Sequence, residues 1–248
     1  MCAMRLLSML SIVVVMVCIS IGQTAQPSLS DIAGEYITSN GMAGLTGYVL
    51  TLKVDGTYSR KWFTDDGSVN TPPEVGKYSL KDYVLSFEPP KGETYRLYLI
   101  RWGGRTYVAE DISRFVAAVN VGLEPRGDAI PQDNLENYIY IRLGDEKIEP
   151  TGQPVTVKTA DELLSAPHIE IQVTGKQLES QALSVSTNKG SADGLRLGMC
   201  FFEKRSRNTY DPILCVTSVT DHLARLTDPW AFRTEISVGD TLTNRLIK

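Results

Sequence analysis

Short runs of alternating apolar and polar residues dominate the first half of the chain. The runs cover residues 34–38, 48–54, 57–62, 76–80, 83–87, 95–100 and 105–108, with a polar loop at 64–73. Turn residues separate them, and Asp55-Gly56 is a strong hairpin signal because both residues tolerate positive φ. Short strands at this spacing predict an antiparallel meander, which closes either as a barrel or as a sandwich.

A single helical pattern follows at residues 111–120. Its apolar stripe has helical spacing and consists of Ile112, Phe115, Val116 and Val119. Asp111 is placed to cap the start of this helix and Gly122 its end. We expect the helix to pack across an opening of the barrel or sandwich, and residues 138–143 to form a further strand.

The second half of the chain is again rich in strand patterns. A turn-rich linker is predicted at residues 149–154, followed by a short helix for which Thr159 and Glu162 form a capping box. Strands are predicted at residues 169–173, 183–186, 195–203, 212–219, 223–226 and 239–245. The predicted fold class is therefore all-β and mainly antiparallel, with a barrel or sandwich and one helix over residues 31–150 and a small β barrel over residues 158–248.

The first 22 residues have the features of a secretory signal peptide. Arg5 precedes an apolar run at residues 6–21, which is short for a bilayer that needs about 20 apolar residues. Small residues place the cleavage after Gly22, with Ala25 as second choice; an uncleaved N-terminal membrane anchor and lipoprotein processing at Cys18 are the alternatives. We expect an exported protein, periplasmic or extracellular, with no integral membrane span after cleavage.

Cleavage after Gly22 leaves two of the four cysteines, Cys200 and Cys215. They lie on consecutive predicted strands, and pairing around the polar turn at 204–211 places them opposite each other. Facing positions bring Cβ atoms to about 4.5–5.5 Å, close to what a disulfide needs, and export leads to oxidising conditions. We predict a Cys200–Cys215 disulfide; the alternative is two small buried apolar residues whose positions happen to match.

Composition narrows the range of partners. Of the 248 residues, 42% are hydrophobic and 22% are charged, which excludes a disordered chain. The formal net charge of -4 argues against nucleic acid as a partner, since excess carboxylate finds no counterpart on a phosphate backbone. An unknown protein or a small apolar ligand remains as the expected partner.

Groups that carry catalysis are scarce in this sequence. Its two histidines, His168 and His222, come without a Gly-x-Ser-x-Gly motif, and we predict surface positions for both. No metal-ligand motif is present, so we predict no metal and no other cofactor, with a calcium site at Asp65-Asp66 as the alternative. We expect that the protein is not an enzyme, although acidic pairs that hydrolyse glycosides are distant in sequence and leave a hydrolase as an alternative.

Aromatic residues are concentrated in the first half of the chain. Six of them lie on paired strands and are predicted to line a ligand-binding cup or a flat sugar-stacking face. These candidate binding residues are Tyr58, Trp62, Tyr78, Tyr95, Tyr98 and Trp102. The alternative is that they are the core of a small barrel.

The first domain resembles lipocalin-like secreted β domains. The resemblance lies in Gly34-x-Tyr36, Leu50-x-Leu52, Asp55-Gly56-Thr57-Tyr58, Gly76-x-Tyr78 and Leu85-x-Phe87. It implies a cup-shaped fold that binds a ligand or a surface, and it brings no catalytic residues with it.

The second domain resembles small β barrels of bacterial envelope scaffold proteins. The matching residues are Asn188-Lys189-Gly190, Asp193-Gly194-Leu195 and Gly198-Met199, with further matches at 216–219 and 236–240. The resemblance implies contact with other proteins rather than chemistry.

Three hypotheses about function follow from these expectations. The first is an exported, non-enzymatic binding or scaffold protein of the bacterial envelope or exterior, based on the signal peptide, the barrel patterns and the scarcity of catalytic groups. The second is a lipocalin-like carrier of a small apolar ligand, and the third is a hydrolase with acidic catalysts.

Overall fold

The computed structural model describes residues 26–40, 46–64, 71–120, 122, 139–179, 182–203, 214–228 and 236–245. Within these ranges the strands pair in antiparallel fashion and close into two barrels, one of eight strands and one of six. The prediction of a mainly antiparallel β fold with few helices is confirmed, and the first half forms a barrel and not a sandwich. The predicted signal peptide at residues 1–22 and the Asp65-Asp66 pair lie outside the described residues.

The first barrel is an up-and-down meander in which each strand pairs with the next one along the chain. Its strands are β1 (Gly34–Asn40), β2 (Thr46–Leu52), β3 (Thr57–Thr64), β4 (Glu74–Lys81), β5 (Val84–Glu88), β6 (Tyr95–Trp102), β7 (Arg105–Ala109) and β8 (Ile139–Arg142). The meander closes because β8 pairs back with β1, which places Arg142 opposite Tyr36. With eight strands, the interior of a barrel is just wide enough for side chains or for one small ligand.

The two ends of the first barrel differ in how their strands are connected. At one end, which we call the base, the connections after β2, β4 and β6 have two to four residues. The short helix α1 (Leu29–Ile32) lies at the base, where the Ile32 carbonyl accepts a hydrogen bond from the Tyr36 hydroxyl. At the other end, which we call the mouth, the connections after β1, β3 and β5 have five to nine residues.

Inward-facing side chains fill the first barrel between its base and its mouth. Residues that pair across antiparallel strands point to the same side of the sheet, so the register identifies the inward set. Its members with an exposed fraction of 2% or less include Tyr36, Leu50, Leu52, Tyr58, Leu85, Phe87, Leu97, Leu99, Val108 and Tyr140. Alternation thus points every second residue into the barrel, as the sequence pattern predicted, whereas β7 is buried along its whole length.

The second barrel has a different strand order. Its strands are β9 (Glu170–Glu179), β10 (Ala182–Thr187), β11 (Cys200–Glu203), β12 (Leu214–Val219), β13 (Ala224–Asp228) and β14 (Thr241–Thr243), arranged as β10-β13-β12-β11-β14-β9. Cys200 pairs with Cys215, in the predicted register, and a disulfide joins the two. The prediction of this disulfide is confirmed.

One strand of the second barrel is shorter than predicted. The sequence pattern predicted a strand over residues 195–203, but β11 begins at Cys200. Before it, the chain turns: Gly198 has a φ of +79°, and the Met199 backbone N–H donates to the Arg196 carbonyl. The prediction was wrong over residues 195–199. Leu195, Leu197 and Met199 alternate as in a strand, but Gly198 allows the chain to turn there.

Helix α2 (Ile112–Asn120) packs on the outside of the first barrel. Phe115 contacts Tyr107 and Trp102, with ring centroids 5.5 and 6.3 Å apart. Tyr107 pairs with Ile141, and Ile141 pairs with Ile37. Ile37 follows the inward-facing Tyr36 and therefore points outward, so the Tyr107 ring also points out of the barrel. The expectation that this helix crosses an opening was therefore wrong, because the outer wall of β6 and β7 supplies the apolar surface for its stripe.

The second barrel packs against the other side of α2. Ala117 of the helix forms a buried cluster with Cys200 and Phe202 of β11. A Cβ atom at Gly198 would lie 2.8 Å from the Ser113 hydroxyl oxygen, so the turn before β11 approaches the helix closely. The helix consequently lies between the two barrels.

The predicted linker at residues 149–154 lies against the first barrel. Arg101 of β6 and Val155 exchange two backbone hydrogen bonds, of 2.9 and 2.7 Å. Gly103 has a φ of +55°, and a Cβ atom there would lie 2.1 Å from the Thr151 backbone nitrogen. Only glycine fits at this turn, since both the backbone conformation and the close approach exclude a side chain.

The helix after this segment is α3 (Lys158–Leu164), and it starts earlier than predicted. Its N-cap is Val157, so Thr159 lies inside the first turn and the predicted capping box with Glu162 was wrong. The backbone pairing of Val155 with β6 precedes the helix by two residues, and the helix begins without a side-chain cap. Among the helices that the structure describes, none is both long and apolar enough to cross a bilayer.

Asp111 caps the start of α2, because its Oδ1 accepts hydrogen bonds from the backbone N–H groups of Ser113 and Arg114 at 2.8 and 3.4 Å. Replacing Asp111 by alanine should therefore lower the free energy of unfolding by about 1 kcal/mol. Asp111→Asn keeps the capping oxygen and should remain within about 0.5 kcal/mol of the original protein. Urea denaturation of both variants measures the difference. Equal losses in the two variants would contradict a capping role.

Candidate functional site

The six aromatic residues predicted to bind a ligand do not share one face. Tyr58 pairs with Leu52, and Trp62 pairs with Tyr48, all on the inner face of the first barrel. Tyr78 and Tyr95 also point inward, because they pair with the inward-facing Phe87 from the strands on either side of it. Four of the six, Tyr58, Trp62, Tyr78 and Tyr95, are therefore brought together inside the barrel.

The remaining two, Tyr98 and Trp102, lie on the outer face. Both differ from Tyr95 by an odd number of positions along β6, so they point to the opposite side of the sheet. The indole N–H of Trp102 donates to the Gly152 carbonyl at 2.9 Å, and its ring contacts Phe115. The structure does not bring these two residues together with the other four.

Below the mouth, Phe87 is the centre of an aromatic cluster. Its ring makes an edge contact with Tyr58 at 4.8 Å and is stacked on Tyr95 at 5.1 Å and on Tyr78 at 6.0 Å. Phe87 is fully buried and Tyr58 is 2% exposed. At this level the aromatic residues are core, as the alternative interpretation of the sequence proposed.

The mouth itself contains charged residues that point inward. We define the mouth cluster as Glu74, which is exposed at the first position of β4, together with the inward-facing residues Thr38, Tyr48, Arg60, Trp62, Tyr95, Glu110 and Tyr140. Arg60 Nη2 donates to Glu110 Oε1 at 2.6 Å, and the two side chains are only 19% and 17% exposed. The Tyr140 hydroxyl also donates to Glu110 Oε1, at 3.3 Å. A nearly buried ion pair thus spans the barrel interior.

Aromatic rings surround the guanidinium group. Arg60 Cζ lies 4.3 Å from the centroid of the Tyr48 ring and 5.9 Å from that of Tyr140, which are cation–π distances. Burial opposes the charge on Arg60, but the electrostatic interactions with Tyr140, Glu110, Tyr95 and Tyr48 together outweigh it and raise the pKa of the guanidinium. Burial also holds the pKa of Tyr140 well above its ordinary value. Arg60 therefore stays charged and Tyr140 stays a hydroxyl donor at neutral pH.

Glu74 gives the mouth cluster a second carboxylate. Its Oε1 accepts hydrogen bonds from the hydroxyls of Tyr58 and Tyr95, each at 2.7 Å, and Glu74 pairs with Arg60 in the register of β3 and β4. Burial and the hydrogen bond to Glu74 raise the pKa of Tyr95, and burial raises the pKa of Tyr58 to about 12. Both tyrosines remain protonated donors, so Glu74 connects the polar mouth to the aromatic core.

Thr38 adds a buried hydroxyl to the same end of the barrel. It is 2% exposed, and its Oγ1 has no hydrogen-bond partner among the described residues. Thr38 pairs with Tyr48 across β1 and β2, next to the ring that contacts Arg60. An unpaired buried hydroxyl costs free energy, which is one sign that the mouth is not optimised for stability alone.

Sequence reasoning did not select Arg60, Glu74 or Glu110. Arg60 lies two residues from Tyr58 and two from Trp62 along β3, so the alternation that places those aromatic residues inside also places the arginine inside. This spacing of two was the sequence signal that could have identified Arg60. The pairing with Glu110 was not readable, because the two residues are 50 positions apart and meet only when the barrel closes.

The other chemical candidates from the sequence lie elsewhere. His168 Nε2 lies 2.9 Å from Thr243 Oγ1 in the second barrel and 3.8 Å from Glu170. His222 is exposed. Within the described ranges, no three His, Cys, Asp or Glu side chains lie close enough together to hold a metal ion.

The mouth cluster can make three kinds of contact with a molecule. Arg60 supplies N–H donors, Glu74 and Glu110 supply acceptors, and the tyrosine hydroxyls do both. The half-buried rings of Tyr48 and Trp62 meet edge to face at 4.8 Å and supply apolar surface, with Trp62 as the ring that can offer a flat face. A few convergent polar groups beside aromatic surface are typical of small-molecule sites.

Family membership does not follow from the two closed barrels. Closed barrels of eight and six strands are shared by many unrelated proteins, so the resemblances to lipocalin-like domains and to envelope scaffold barrels stay predictions. Compared with known proteins, the chain matches no family model, no curated protein and no solved structure, and we assign it to no family.

Proposed function

We propose that the protein is an exported, non-enzymatic binding protein that takes up a small molecule at the mouth of its first barrel. The observation that carries this proposal is the Arg60–Glu110 ion pair, which is nearly buried inside a barrel whose lower interior is apolar and aromatic. The second observation is the location of this pair at the end with longer connections, where loops of a barrel commonly carry function.

The energetics favour a functional role for these polar groups. A buried ion pair is often no more stable than well-packed apolar residues of the same volume, because removing both charges from water is costly. The base of the same barrel is closed by apolar residues such as Ile32 and Leu52, so an apolar interior was available to this fold. Polar residues at the mouth are therefore better explained by recognition than by stability.

The middle of the barrel counts against the hypothesis of a carrier for a large apolar ligand. Phe87, Leu85, Leu97 and Tyr58 occupy the positions that such a ligand would need, each at 2% exposure or less. A ligand is therefore expected to sit high in the barrel, among the mouth cluster. Export is supported by the signal-peptide pattern, and the Cys200–Cys215 disulfide is compatible with it.

Binding can be tested by tryptophan fluorescence with two matched variants. The purified protein is titrated with laurate, glucuronate, glucosamine and glucose, and native mass spectrometry of the same preparation detects any molecule that copurifies. At least one probe class should bind and change the emission. Trp62→Phe should abolish that change because Trp62 lies at the mouth, whereas Trp102→Phe, on the outer face, should retain it.

Two results would contradict the proposal. One is the absence of binding for all four probes together with no copurifying molecule; the other is a fluorescence change that survives Trp62→Phe and is lost in Trp102→Phe. Recovery of a bound probe in a chemically altered form would contradict the non-enzymatic part and support the hydrolase alternative.

A further inference from the structure

The balance of charges at the mouth restricts the chemistry of the ligand. Glu74 and Glu110 contribute two negative charges and Arg60 one positive charge, and Arg60 already donates to Glu110 at 2.6 Å. An anionic ligand would therefore meet a net negative charge from the described residues of the mouth cluster. A cationic ligand would have to compete with the guanidinium group, which lies over the Tyr48 ring at 4.3 Å.

An apolar ligand is also disfavoured at this position. Covering the mouth with hydrocarbon would remove the remaining water from Arg60, Glu110 and Glu74 without replacing its hydrogen bonds. The cost of such desolvation is several kcal/mol for each charged group. A suitable ligand must instead offer polar groups that both donate and accept.

Hydroxyl groups meet this requirement. Each can accept a hydrogen bond from Arg60 or a tyrosine and donate one to Glu74 or Glu110. Thr38 Oγ1, which is buried and has no partner among the described residues, points into the same end of the barrel. It is a further group that a hydroxyl-bearing ligand would satisfy.

The aromatic residues add a requirement of shape. The rings of Trp62 and Tyr48 are half-buried, and they lie in register on neighbouring strands at the mouth. Their planes are 70° apart and Arg60 lies over the Tyr48 ring, so of the two rings Trp62 is the one that can offer a flat apolar face beside the charged groups. A pyranose ring has one face lined by C–H bonds and hydroxyl groups around its rim, so it presents apolar and polar surface in the same arrangement.

We infer that the ligand of the mouth cluster is a neutral carbohydrate. Its hydroxyl groups bind Glu74 and the Arg60–Glu110 pair, and its C–H face packs on Trp62. This inference rests on the proposed function, since it specifies the ligand class of the same site.

The test compares glucose with two derivatives of the same ring, one with a carboxylate at C6 and one with an ammonium group at C2. Isothermal titration calorimetry with the full chain measures glucose, glucuronate and glucosamine, and maltotriose extends the neutral series to a larger sugar. Glucose or maltotriose should bind at least about tenfold more tightly than glucuronate and glucosamine, because a site built around hydroxyl groups discriminates through unpaired polar groups. Laurate, a carboxylate with a long hydrocarbon chain, serves as the probe for ligands with a large apolar part.

Two glutamate variants locate the binding energy. Glu74→Gln removes a charge from the mouth, and Glu88→Gln makes the same change opposite Lys77 on the outer face of the sheet. Both glutamates are exposed, so the two positions differ in face and not in burial. Glu74→Gln should weaken sugar binding about tenfold, and Glu88→Gln should leave it unchanged. Trp62→Ala should weaken it by a similar factor, and circular dichroism spectra of all three variants verify that they are folded.

The possible failures are distinguishable. If glucuronate, glucosamine or laurate binds as tightly as the neutral sugars or more tightly, and Glu74→Gln or Trp62→Ala changes that binding, the carbohydrate inference is overturned and the proposed function stands. If neutral sugars bind but Glu74→Gln has no more effect than Glu88→Gln, the assigned site is wrong. If no probe binds and no molecule copurifies, both proposals fail.

Discussion

Replacing Phe87 by alanine should lower the free energy of unfolding by about 3–5 kcal/mol, one of the two largest effects expected in this protein. Phe87 is fully buried on β5 and contacts the rings of Tyr58, Tyr78 and Tyr95. Truncation removes the apolar transfer energy of the side chain and leaves a cavity that three large rings cannot fill without leaving their rotamers. Urea denaturation followed by circular dichroism measures the loss.

Phe63→Ala is the matched control for this prediction. Phe63 lies on β3 of the same barrel, but it is half-buried and pairs with Gly47 on the outer face. The same truncation there should cost only about 1–2 kcal/mol, since less apolar surface returns to water. If the two variants lose equal stability, the interior of the first barrel is not packed around Phe87, and the argument against a deep apolar ligand is lost with it.

Local patterns predicted most strands because alternation records which face of a strand is buried. The strand at residues 57–62 is an example: Tyr58, Arg60 and Trp62 all point inward, as a period of two requires. The register of two strands could be predicted from the sequence where a single turn connects them. The pairing of Cys200 with Cys215 follows from counting outward from one turn, and no long-range information was needed.

Features that depend on the closure of the first barrel could not be predicted from local sequence patterns. Barrel closure requires β8 to return to β1 over more than one hundred residues, and nothing local selects that pairing. The Arg60–Glu110 pair and the position of α2 on the outer wall are consequences of this closure. The apolar stripe of α2 predicted that the helix is packed, but a stripe does not state which surface it packs against.

The candidate site shows how a pattern can be applied incompletely. Tyr98 and Trp102 were grouped with Tyr95 because all three are aromatic, although their parity along β6 places them on opposite faces. The same rule, applied to Arg60 and to Glu74 beside it in the sheet, would have added charge to the predicted cup. The inference of a hydroxyl-rich ligand depends on these two residues, because aromatic content alone left both a ligand-binding cup and a flat sugar-stacking face open.

Loss of the Cys200–Cys215 disulfide should destabilise the second barrel by about 3 kcal/mol, the value that chain entropy gives for a loop of about 15 residues. The bridge joins β11 to β12, and Cys200 packs with Ala117 of α2, between the two barrels. Reduction should therefore increase amide hydrogen exchange in β11 and β12 and leave β3 to β5 of the first barrel protected. Hydrogen-exchange mass spectrometry with and without a phosphine reductant measures both regions.

The double variant Cys200→Ala/Cys215→Ala separates the covalent bond from the packing of the two side chains. In urea denaturation the reductant should lower the stability of the original protein by about 3 kcal/mol and leave that of the double variant unchanged. An equal effect of the reductant on both proteins would trace its action to something other than this disulfide. No effect on either would mean that the loop between β11 and β12 is already restricted in the unfolded chain, because the entropy that a disulfide removes is then absent from the unfolded state.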